Sequence, residues 1–179
     1  MSMSDLPKEI LEKAQNIKLL VLDVDGVLSD GKLYFSDQGD ELKSFSTLDG
    51  QGIKLLQNSG IDVALITGRK SNIVTLRAKE LGIKLLVQGR EDKLEALDVI
   101  LAELNLHYHQ VAYIGDDLPD LACIRKVGFG ATVPNANPVI LEHALCCTER
   151  SGGQGAVREI CDLILHAQNK FDAAIAPYI

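Results

Sequence analysis

Short, continuous hydrophobic runs alternate with longer amphipathic segments along most of the chain. Four of the runs, at residues 17–22, 61–66, 83–87 and 111–114, have the length and the branched aliphatic content of buried β-strands. A strand that is apolar on both faces is typical of a parallel sheet covered by helices on both sides. The runs therefore predict four neighbouring strands of one parallel sheet.

Helices are predicted between these strands, where apolar residues recur at a spacing of three and four positions. One helix ends near Gly60. A second carries Ile73, Leu76 and Leu81 before Gly82, and the clearest stripe spans residues 94–104. Glycine commonly follows the last residue of a helix, which fits both glycines.

Pro119 and Pro138 stand where proline opens a helix, and residues 156–168 form a last amphipathic segment. Strands and helices alternating at this spacing predict an α/β fold, with a doubly wound, Rossmann-like parallel sheet. With neither a linker nor an internal repeat, the chain is expected to form a single domain over residues 1–179. We expect both termini, including a tail at about 169–179, to dock or fray.

One segment breaks the alternation. Residues 33–45 contain two short apolar stretches around a polar turn at residues 37–40, which predicts a β-hairpin inserted after the first strand, at about 31–47. An isolated hairpin is marginally stable, so its apolar residues need a surface to pack on.

Composition narrows the class of protein. The chain has 179 residues, a net charge of −7 and 46% hydrophobic residues, which is ordinary globular composition. The acidic balance argues against a partner such as nucleic acid or an anionic membrane. No apolar run approaches the ~20 residues that a membrane span needs, and no signal segment is evident. We expect a cytoplasmic protein whose four cysteines are buried thiols in a reducing compartment.

Polar residues follow each of the predicted strands. In a sheet of this kind, ligands bind at the carboxyl ends of the strands. Asp23 and Asp25 are two positions apart on extended chain, so their side chains point to the same side. The residues expected to meet at this edge are Asp23, Asp25, Thr67, Gly68, Arg69, Lys93, Asp116 and Asp117.

Several carboxylates in one cleft need a cation to offset their repulsion. Oxygen ligands without clustered histidine or cysteine favour Mg²⁺ over zinc. A bound Mg²⁺ would attract a phosphate, whose oxygens Thr67 and Lys93 could hold. The residues themselves therefore predict a magnesium-dependent phosphate site.

The same residues resemble the four motifs of the haloacid dehalogenase superfamily, in the order of that superfamily: DVDG at 23–26, TGR at 67–69, Lys93, and GDD at 115–117. Within the superfamily, residues 25–31, the hairpin and the segment SGGQGAVRE at 151–159 resemble the phosphatases that hydrolyse 3-deoxy-D-manno-octulosonate 8-phosphate, an enzyme family of lipopolysaccharide precursor synthesis. Ser29 stands where that family usually has threonine, which keeps the hydroxyl.

This resemblance implies a reaction in two steps. Asp23 would be the nucleophile that forms an aspartyl phosphate, and Asp25 the general acid and then the general base. The implied ligands of Mg²⁺ are the Asp23 carboxylate, the Asp25 main-chain carbonyl and the Asp116 carboxylate. Thr67 and Lys93 would bind the phosphoryl oxygens, with Asp117 outside the coordination shell.

Other residues near these motifs are given smaller roles. The resemblance implies that Arg69 and Arg77 bind a substrate carboxylate, with Gly68 beside them. Asp120 is interpreted as a first-turn acid favoured by the helix dipole. His107 and His109 have no metal-ligand spacing and are expected to be surface residues.

The intervals between the motifs are too short for a separate cap domain of at least ~50 residues. We therefore expect a neighbouring subunit to complete the active site. The hairpin would supply edge pairing between chains, and the resemblance implies a homotetramer. It also implies that residues 151–155 and the tail reach the neighbour's active site.

Alternatives remain open from the sequence. The substrate could be a nine-carbon, sialic-acid-type 9-phosphate instead. A phospho-acceptor signalling module also gathers aspartates, a threonine and a lysine around Mg²⁺, but has no acid at the position of Asp25. A carbon–halogen hydrolase needs no metal, and an inactive interaction protein needs none of the motif residues.

Overall fold

A computed structural model describes residues 7–179, which form a six-stranded, entirely parallel sheet and a separate two-stranded hairpin. The strand order of the large sheet is β5-β4-β1-β6-β7-β8. The strands are β1 (Leu19–Leu22), β2 (Tyr34–Phe35), β3 (Glu41–Leu42), β4 (Asp62–Thr67), β5 (Leu85–Gln88), β6 (Val111–Ile114), β7 (Phe129–Thr132) and β8 (Cys146–Cys147).

Helices connect the parallel strands and lie in two layers. In one layer α2 packs on α7, both of these helices contact α8, and α7 also contacts α1. In the other layer α5 contacts α4 and α6. From β1 the sheet grows first toward β5 and later toward β8, so right-handed crossovers place these two layers on opposite faces. The helices are α1 (Lys8–Ala14), α2 (Thr47–Asn58), α3 (Asn72–Glu80), α4 (Lys93–Leu104), α5 (Leu121–Lys126), α6 (Pro138–His143), α7 (Ala156–Ala167) and α8 (Phe171–Ile175).

The predicted fold class, a doubly wound parallel α/β sheet with an inserted hairpin, is confirmed. All four predicted strands form, each within two residues of the expected ends. Pro138 opens α6 as expected, and Pro119 lies in a 3₁₀ turn (Leu118–Asp120) that leads into α5. Strand β7 was not predicted, because Gly130 interrupts its apolar run. A side chain there would collide with the Ile124 carbonyl, so glycine lets α5 pack closely on β7.

Helix α3 differs from the prediction in the face that it buries. Leu76 was expected in the core, but it is 59% exposed, whereas Val74 and Ala78 are buried. The helical spacing of the apolar residues was right, and the orientation of the helix was wrong. Val74 and Ala78 form the inner face of α3, and Leu76 is left on the surface.

The centre of the core is β1. Its four residues are completely buried, since β4 and β6 flank the strand and helices cover both faces. Burying one such aliphatic side chain contributes about 1.5–3 kcal/mol. The strand therefore holds the residues that follow it, beginning at Asp23, on the most constrained backbone of the molecule.

The predicted hairpin forms with fewer paired residues than expected. Tyr34 pairs with Leu42 and Phe35 with Glu41, and Gly39 turns the chain with φ +88°. Tyr34, Phe35 and Leu42 remain largely exposed. The hairpin therefore lies over the sheet without joining it.

The remaining sequence expectations concern termini and cysteines. The C-terminal segment docks on its own chain, where the Gln51 amide donates a hydrogen bond to the Tyr178 hydroxyl at 2.8 Å. Residues 1–6, expected to dock or fray, lie outside the described residues. The four cysteines are free thiols, but Cys147 is exposed rather than buried, because it lies at the outer edge of the sheet. None of the helices within residues 7–179 has the length and apolar character to span a bilayer.

Candidate active site

The polar residues that follow the strands meet in one cavity of about 380 Å³ at the carboxyl edge of the sheet. The loops after β1, β4 and β6 and the first turn of α4 form its walls. The convergence predicted from the sequence is therefore present in the structure. The charged and polar residues that line the cavity are Asp23, Asp25, Thr67, Arg69, Glu91, Lys93, Asp116, Asp117 and Asp120, together with Gly68.

Asp23 lies at the bottom of the cavity, directly after β1. Its backbone N–H donates to the Ile114 carbonyl at 3.0 Å, which extends the β1–β6 pairing by one residue. Its carboxylate is 2.7 Å from Lys93 Nζ. Burial and the charge of Asp120 raise the pKa of Asp23 to about 8, although Lys93 acts in the opposite direction. A carboxylate in this environment needs positive charge close by.

Gly26 brings the first loop against the third. Its φ of +99° is one that other residues rarely adopt, and a side chain at this position would overlap the Asp116 carboxylate. The glycine of the DVDG motif therefore allows Asp116 to approach Asp23. A carboxylate oxygen of Asp116 lies within 4.8 Å of one from Asp23. Burial raises the pKa of Asp116 to about 6.

Asp23, Asp116 and Asp120 each offer a carboxylate oxygen, and these oxygens lie within 4.8 Å of one another. This arrangement of hard oxygen donors suits Mg²⁺. Burial and like charges raise the pKa values of Asp23 and Asp116, and a divalent cation would offset both effects.

Asp120 corrects the sequence interpretation, which treated it only as a first-turn acid favoured by the helix dipole. The residue is buried, and its Oδ1 accepts hydrogen bonds from Lys93 Nζ and the Tyr113 hydroxyl, both at 2.7 Å. Its Oδ2 accepts from the backbone N–H groups of Asp116 and Asp117, at 3.2 and 3.3 Å. Four donors already saturate this carboxylate, so it acts as a support for Lys93 and the third loop.

Lys93 is buried at the first position of α4 and bridges Asp23 and Asp120. Burial works to lower the pKa of Lys93, but the charges of both carboxylates outweigh it, and the pKa is raised. The lysine therefore stays a cation at the point where the sequence predicted a phosphate-neutralising charge.

Thr67 ends β4 at the cavity wall, with its hydroxyl accepting a hydrogen bond from the Arg69 backbone N–H at 3.3 Å. Gly68 lines the cavity next to it, and Arg69 stands at the rim. The Arg69 guanidinium lies 3.9 Å from Asp25 and 3.1 Å from Glu41. The structure thus brings the whole TGR motif to the site.

Arg77 does not line this cavity, in contrast to the prediction. Its guanidinium donates to the Ser46 carbonyl at 3.2 Å, pairs with Glu80 at 2.9 Å and lies over the Phe45 ring. These contacts hold the start of α2 rather than a ligand. His107 stacks on His109, and both are exposed, as expected of surface residues. Asp117 is exposed at the edge of the cavity.

Lys43 and Glu41 belong to the site and were missed in the sequence. Both come from β3 of the hairpin and its continuation, and Lys43 Nζ contacts Asp25 Oδ1 and lies 3.3 Å from Glu41. The signal was available, since Glu41 and Lys43 are two positions apart on a strand and so share a face. Without the structure, nothing indicated that this face turns toward Asp25.

The glycine-rich segment 151–155 packs on the first catalytic loop of its own chain. The Gly153 N–H donates to the Val27 carbonyl at 2.9 Å, and Asn135 bridges the Gly152 N–H and the Gly26 carbonyl. A side chain on Gly152 would collide with that carbonyl. The segment therefore supports the loop that carries Asp25 in its own chain.

Comparison with known proteins agrees with this geometry. A family model for haloacid dehalogenase-like hydrolases matches residues 86–160. The 3-deoxy-D-manno-octulosonate 8-phosphate phosphatase KdsC of Yersinia pestis is 50% identical over 166 residues, which cover 93% of this chain and 89% of the relative.

Two solved structures resemble the fold closely. A probable YrbI family phosphatase from Pseudomonas syringae pv. phaseolica 1448a superposes with a TM-score of 0.94 at 56% identity, covering 96% of this chain and 98% of the other. The 3-deoxy-D-manno-octulosonate 8-phosphate phosphatase of Moraxella catarrhalis, in complex with magnesium, phosphate and KDO, gives a TM-score of 0.95 at 49% identity, covering 97% and 100%.

The parallel sheet and the acidic cluster at its carboxyl edge are those of a haloacid dehalogenase-like hydrolase. Similarity over nearly the whole chain narrows this class further. The chain belongs to the family of 3-deoxy-D-manno-octulosonate 8-phosphate phosphatases. The predicted family and the predicted enzyme class, a phosphoric monoester hydrolase, are confirmed.

Proposed function

We propose that the chain hydrolyses 3-deoxy-D-manno-octulosonate 8-phosphate to the free sugar acid and phosphate, and so serves lipopolysaccharide precursor synthesis. The observation that carries the proposal is the buried Asp23 carboxylate, 2.7 Å from Lys93 and within 4.8 Å of an Asp116 oxygen, with Asp25 in the same cavity. The M. catarrhalis protein, which covers 97% of this chain, binds magnesium, phosphate and KDO.

Mg²⁺ is the cofactor that fits the site. Asp23 and Asp116 would hold it through their carboxylates, and Asp25 through its main-chain carbonyl. Asp120 already accepts four hydrogen bonds, which leaves it to position the others. When bound, the ion neutralises negative charge on the carboxylates and on the transferring phosphoryl group.

In the first step a carboxylate oxygen of Asp23 attacks phosphorus, and the bond from phosphorus to the sugar oxygen breaks. Asp25, in its protonated form, donates its proton to the departing sugar oxygen. In the second step Asp25 takes a proton from water, the water oxygen attacks the aspartyl phosphate, and Asp23 leaves as a carboxylate. Each proton that Asp25 gives is therefore returned by water.

The other residues of the cavity hold charge and orientation. Lys93, fixed by Asp23 and Asp120, offsets the charge of the phosphoryl oxygens, and Thr67 and the backbone near Gly68 bind them. Arg69 faces the mouth of the cavity, where a planar guanidinium suits the substrate carboxylate. Arg77 enters this proposal only as a support behind the hairpin, through its contact with Phe45.

A panel of phosphate esters, assayed with and without Mg²⁺, tests the proposal. We expect the highest kcat/KM on the eight-carbon sugar acid 8-phosphate, with activity lost in EDTA and restored by Mg²⁺. A higher kcat/KM on a nine-carbon 9-phosphate would assign that alternative instead. Activity on haloacids that survives EDTA, or a long-lived phosphoprotein without turnover, would contradict the phosphatase.

We also propose a homotetramer in the cytoplasm, in which a neighbouring subunit covers the cavity. The cavity is open, and the described chain places only the hairpin over it. Leu33, Tyr34, Phe35 and Leu42 are exposed on that hairpin, and such apolar groups favour contact with a second chain. The tail would stay docked on its own chain, as Tyr178 is.

A further inference from the structure

One buried cation has no part in the mechanism described so far. The Lys43 side chain is only 1% exposed, although the hairpin that carries it is largely exposed. Its ammonium contacts Asp25 Oδ1 and lies 3.3 Å from Glu41 Oε1. Ordering a lysine and removing its charge from water are unfavourable unless specific partners compensate. Both partners here are carboxylates at the mouth of the cavity.

Glu41 is itself fixed in place. Its Oε2 accepts a hydrogen bond from the Ser71 hydroxyl at 2.8 Å, and its Oε1 pairs with the Arg69 guanidinium at 3.1 Å. Ser71 and Arg69 follow β4. A series of side-chain contacts therefore connects the rigid sheet to Glu41, Glu41 to Lys43, and Lys43 to Asp25. Lys43 is therefore held from behind, and its position is not set by the hairpin alone.

The exposures of the two paired residues show which of them can meet a substrate. The Asp25 side chain retains 19% exposure, whereas Lys43 is closed off. A group closed off in this way can act on the substrate only through the residue that it contacts. The second oxygen of Asp25 faces the Arg69 guanidinium at 3.9 Å, so Lys43 fixes the orientation of the carboxyl by holding the first.

We propose that Lys43 is a positioning residue that holds the Asp25 carboxyl in the orientation from which it serves the leaving oxygen. The inference rests on the proposed function, since it assumes the acid–base role of Asp25. It adds to that function a residue of the hairpin, and it makes the hairpin part of the chemistry as well as a cover for the cavity.

The variant Lys43→Met keeps the length of the side chain and removes the ammonium. On the sugar phosphate, whose leaving group needs a proton, we expect kcat to fall about 10- to 100-fold, within the range for general acid catalysis. On p-nitrophenyl phosphate, whose leaving group needs none, we expect a change of less than about threefold in the step that acid catalysis assists. Lys32→Met, at an exposed position of the same hairpin, is the matched control and should change neither rate.

A double-mutant cycle tests whether Lys43 acts through Asp25. In the Asp25→Asn background, Lys43→Met should cause no further loss on the sugar phosphate, because the group that it positions is gone. Equal losses on both substrates in the step that forms the aspartyl phosphate, additive losses in the cycle, or a rate above wild type would each overturn the inference. If Lys43→Met does not fold, Lys43→Gln, which keeps one donor, should show the same dependence on leaving group at smaller size.

The same measurements separate this inference from the proposed function. Failure of the unmodified protein to hydrolyse any sugar acid phosphate would contradict the proposed function. If the unmodified protein hydrolyses the sugar phosphate normally and Lys43→Met hydrolyses it at the same rate, the role of Lys43 alone is contradicted.

Discussion

The acidic cluster at the sheet edge and the hairpin above it are held in different ways. Asp23, Thr67, Lys93 and Asp120 are buried and anchored to the ends of strands and a helix whose cores are closed. The hairpin pairs two residues on each strand, and Phe35 and Leu42 are 59% and 62% exposed. The packed core fixes the position of the cluster, whereas the position of the hairpin depends on the groups that contact it.

The unfavourable electrostatic energy of the site lies in the cluster and not in the hairpin. Burial and like charges raise the pKa of Asp23 and Asp116, and a close-packed sheet keeps those groups together despite their repulsion. The hairpin has no core of its own, and its residues Lys43 and Glu41 contact Asp25 and Arg69 at the mouth of the cavity. Changes in the cluster should therefore affect chemistry first, and changes in the exposed apolar side chains of the hairpin should affect assembly first.

The largest effect is expected from Asp23→Asn. An amide cannot attack phosphorus, so we expect phosphate release to fall by at least about 10⁴-fold, while the circular dichroism spectrum stays unchanged. The matched control is Asp62→Asn, which makes the same change at the opposite end of the sheet, on β4. A rate near that of the control would show that Asp23 is not the nucleophile.

Asp120→Asn should have the next largest effect. The amide keeps one acceptor oxygen but loses the charge that pairs with Lys93, and its NH₂ group must face donors on one side, so we expect about 1–3 kcal/mol lower stability and a roughly 100-fold lower kcat. Denaturant unfolding and steady-state kinetics measure the two effects.

Tyr113→Phe is the paired control for Asp120→Asn. It removes one donor and keeps the Asp120–Lys93 ion pair, so the loss of stability should be about 1 kcal/mol and the loss of activity small. An Asp120 variant that loses Mg²⁺ affinity while keeping its stability would assign Asp120 to the metal instead.

The sequence is sufficient to predict most of the cluster, because Asp23, Thr67 and Lys93 follow apolar runs that indicate strands of one parallel sheet. Asp23, Thr67 and Asp116 each come within two residues of a strand end, and parallel strands bring those ends to one edge. Lys93 was found for the same reason, at the start of a helix after β5. The geometry of a parallel sheet thus does most of the prediction.

The parts that could not be predicted depend on contacts distant in sequence or on the rotation of an element. Asp120 resembles any acid in a first turn until Lys93 and Tyr113 are known to point at it. Lys43 resembles a solvated strand residue until the hairpin is folded over Asp25. The apolar residues of α3 fit a helix whichever of its faces is buried. Only packing decides that Ala78 is buried and Leu76 is exposed.

The hairpin should respond in the opposite way from the cluster. Phe35→Ser combined with Leu42→Ser removes exposed apolar surface and leaves the Lys43 contacts intact, so we expect weaker self-association with little change in the stability of the isolated chain. Light scattering across a dilution series measures the association. We expect activity to fall about tenfold in proportion to dissociation, since an open cavity admits water.

Leu76→Ser is the matched control for the hairpin variant, because it removes a comparably exposed side chain from α3. Unaltered association in the hairpin variant, together with dissociation in the Leu76 variant, would move the proposed interface from the hairpin to the helix.

The smallest effect separates the two regions by pH. Asp23 and Asp116 have pKa values of about 8 and 6 in the folded chain, above the ordinary value near 3.8. Between about pH 4 and pH 8 the folded state therefore binds more protons than the unfolded state. Without divalent cations, these two groups make the stability fall as the pH rises through this range. Mg²⁺ competes with those protons, and its stabilisation should be larger at pH 8 than at pH 6.

At saturating Mg²⁺ and pH 8 we expect Tm to rise by about 5–10 °C, measured by thermal unfolding. Asp116→Asn should remove most of this increment and the hairpin double variant should keep it, so an increment that is larger at pH 6, or lost with the hairpin, would show that the ion is not held by the strand-end cluster.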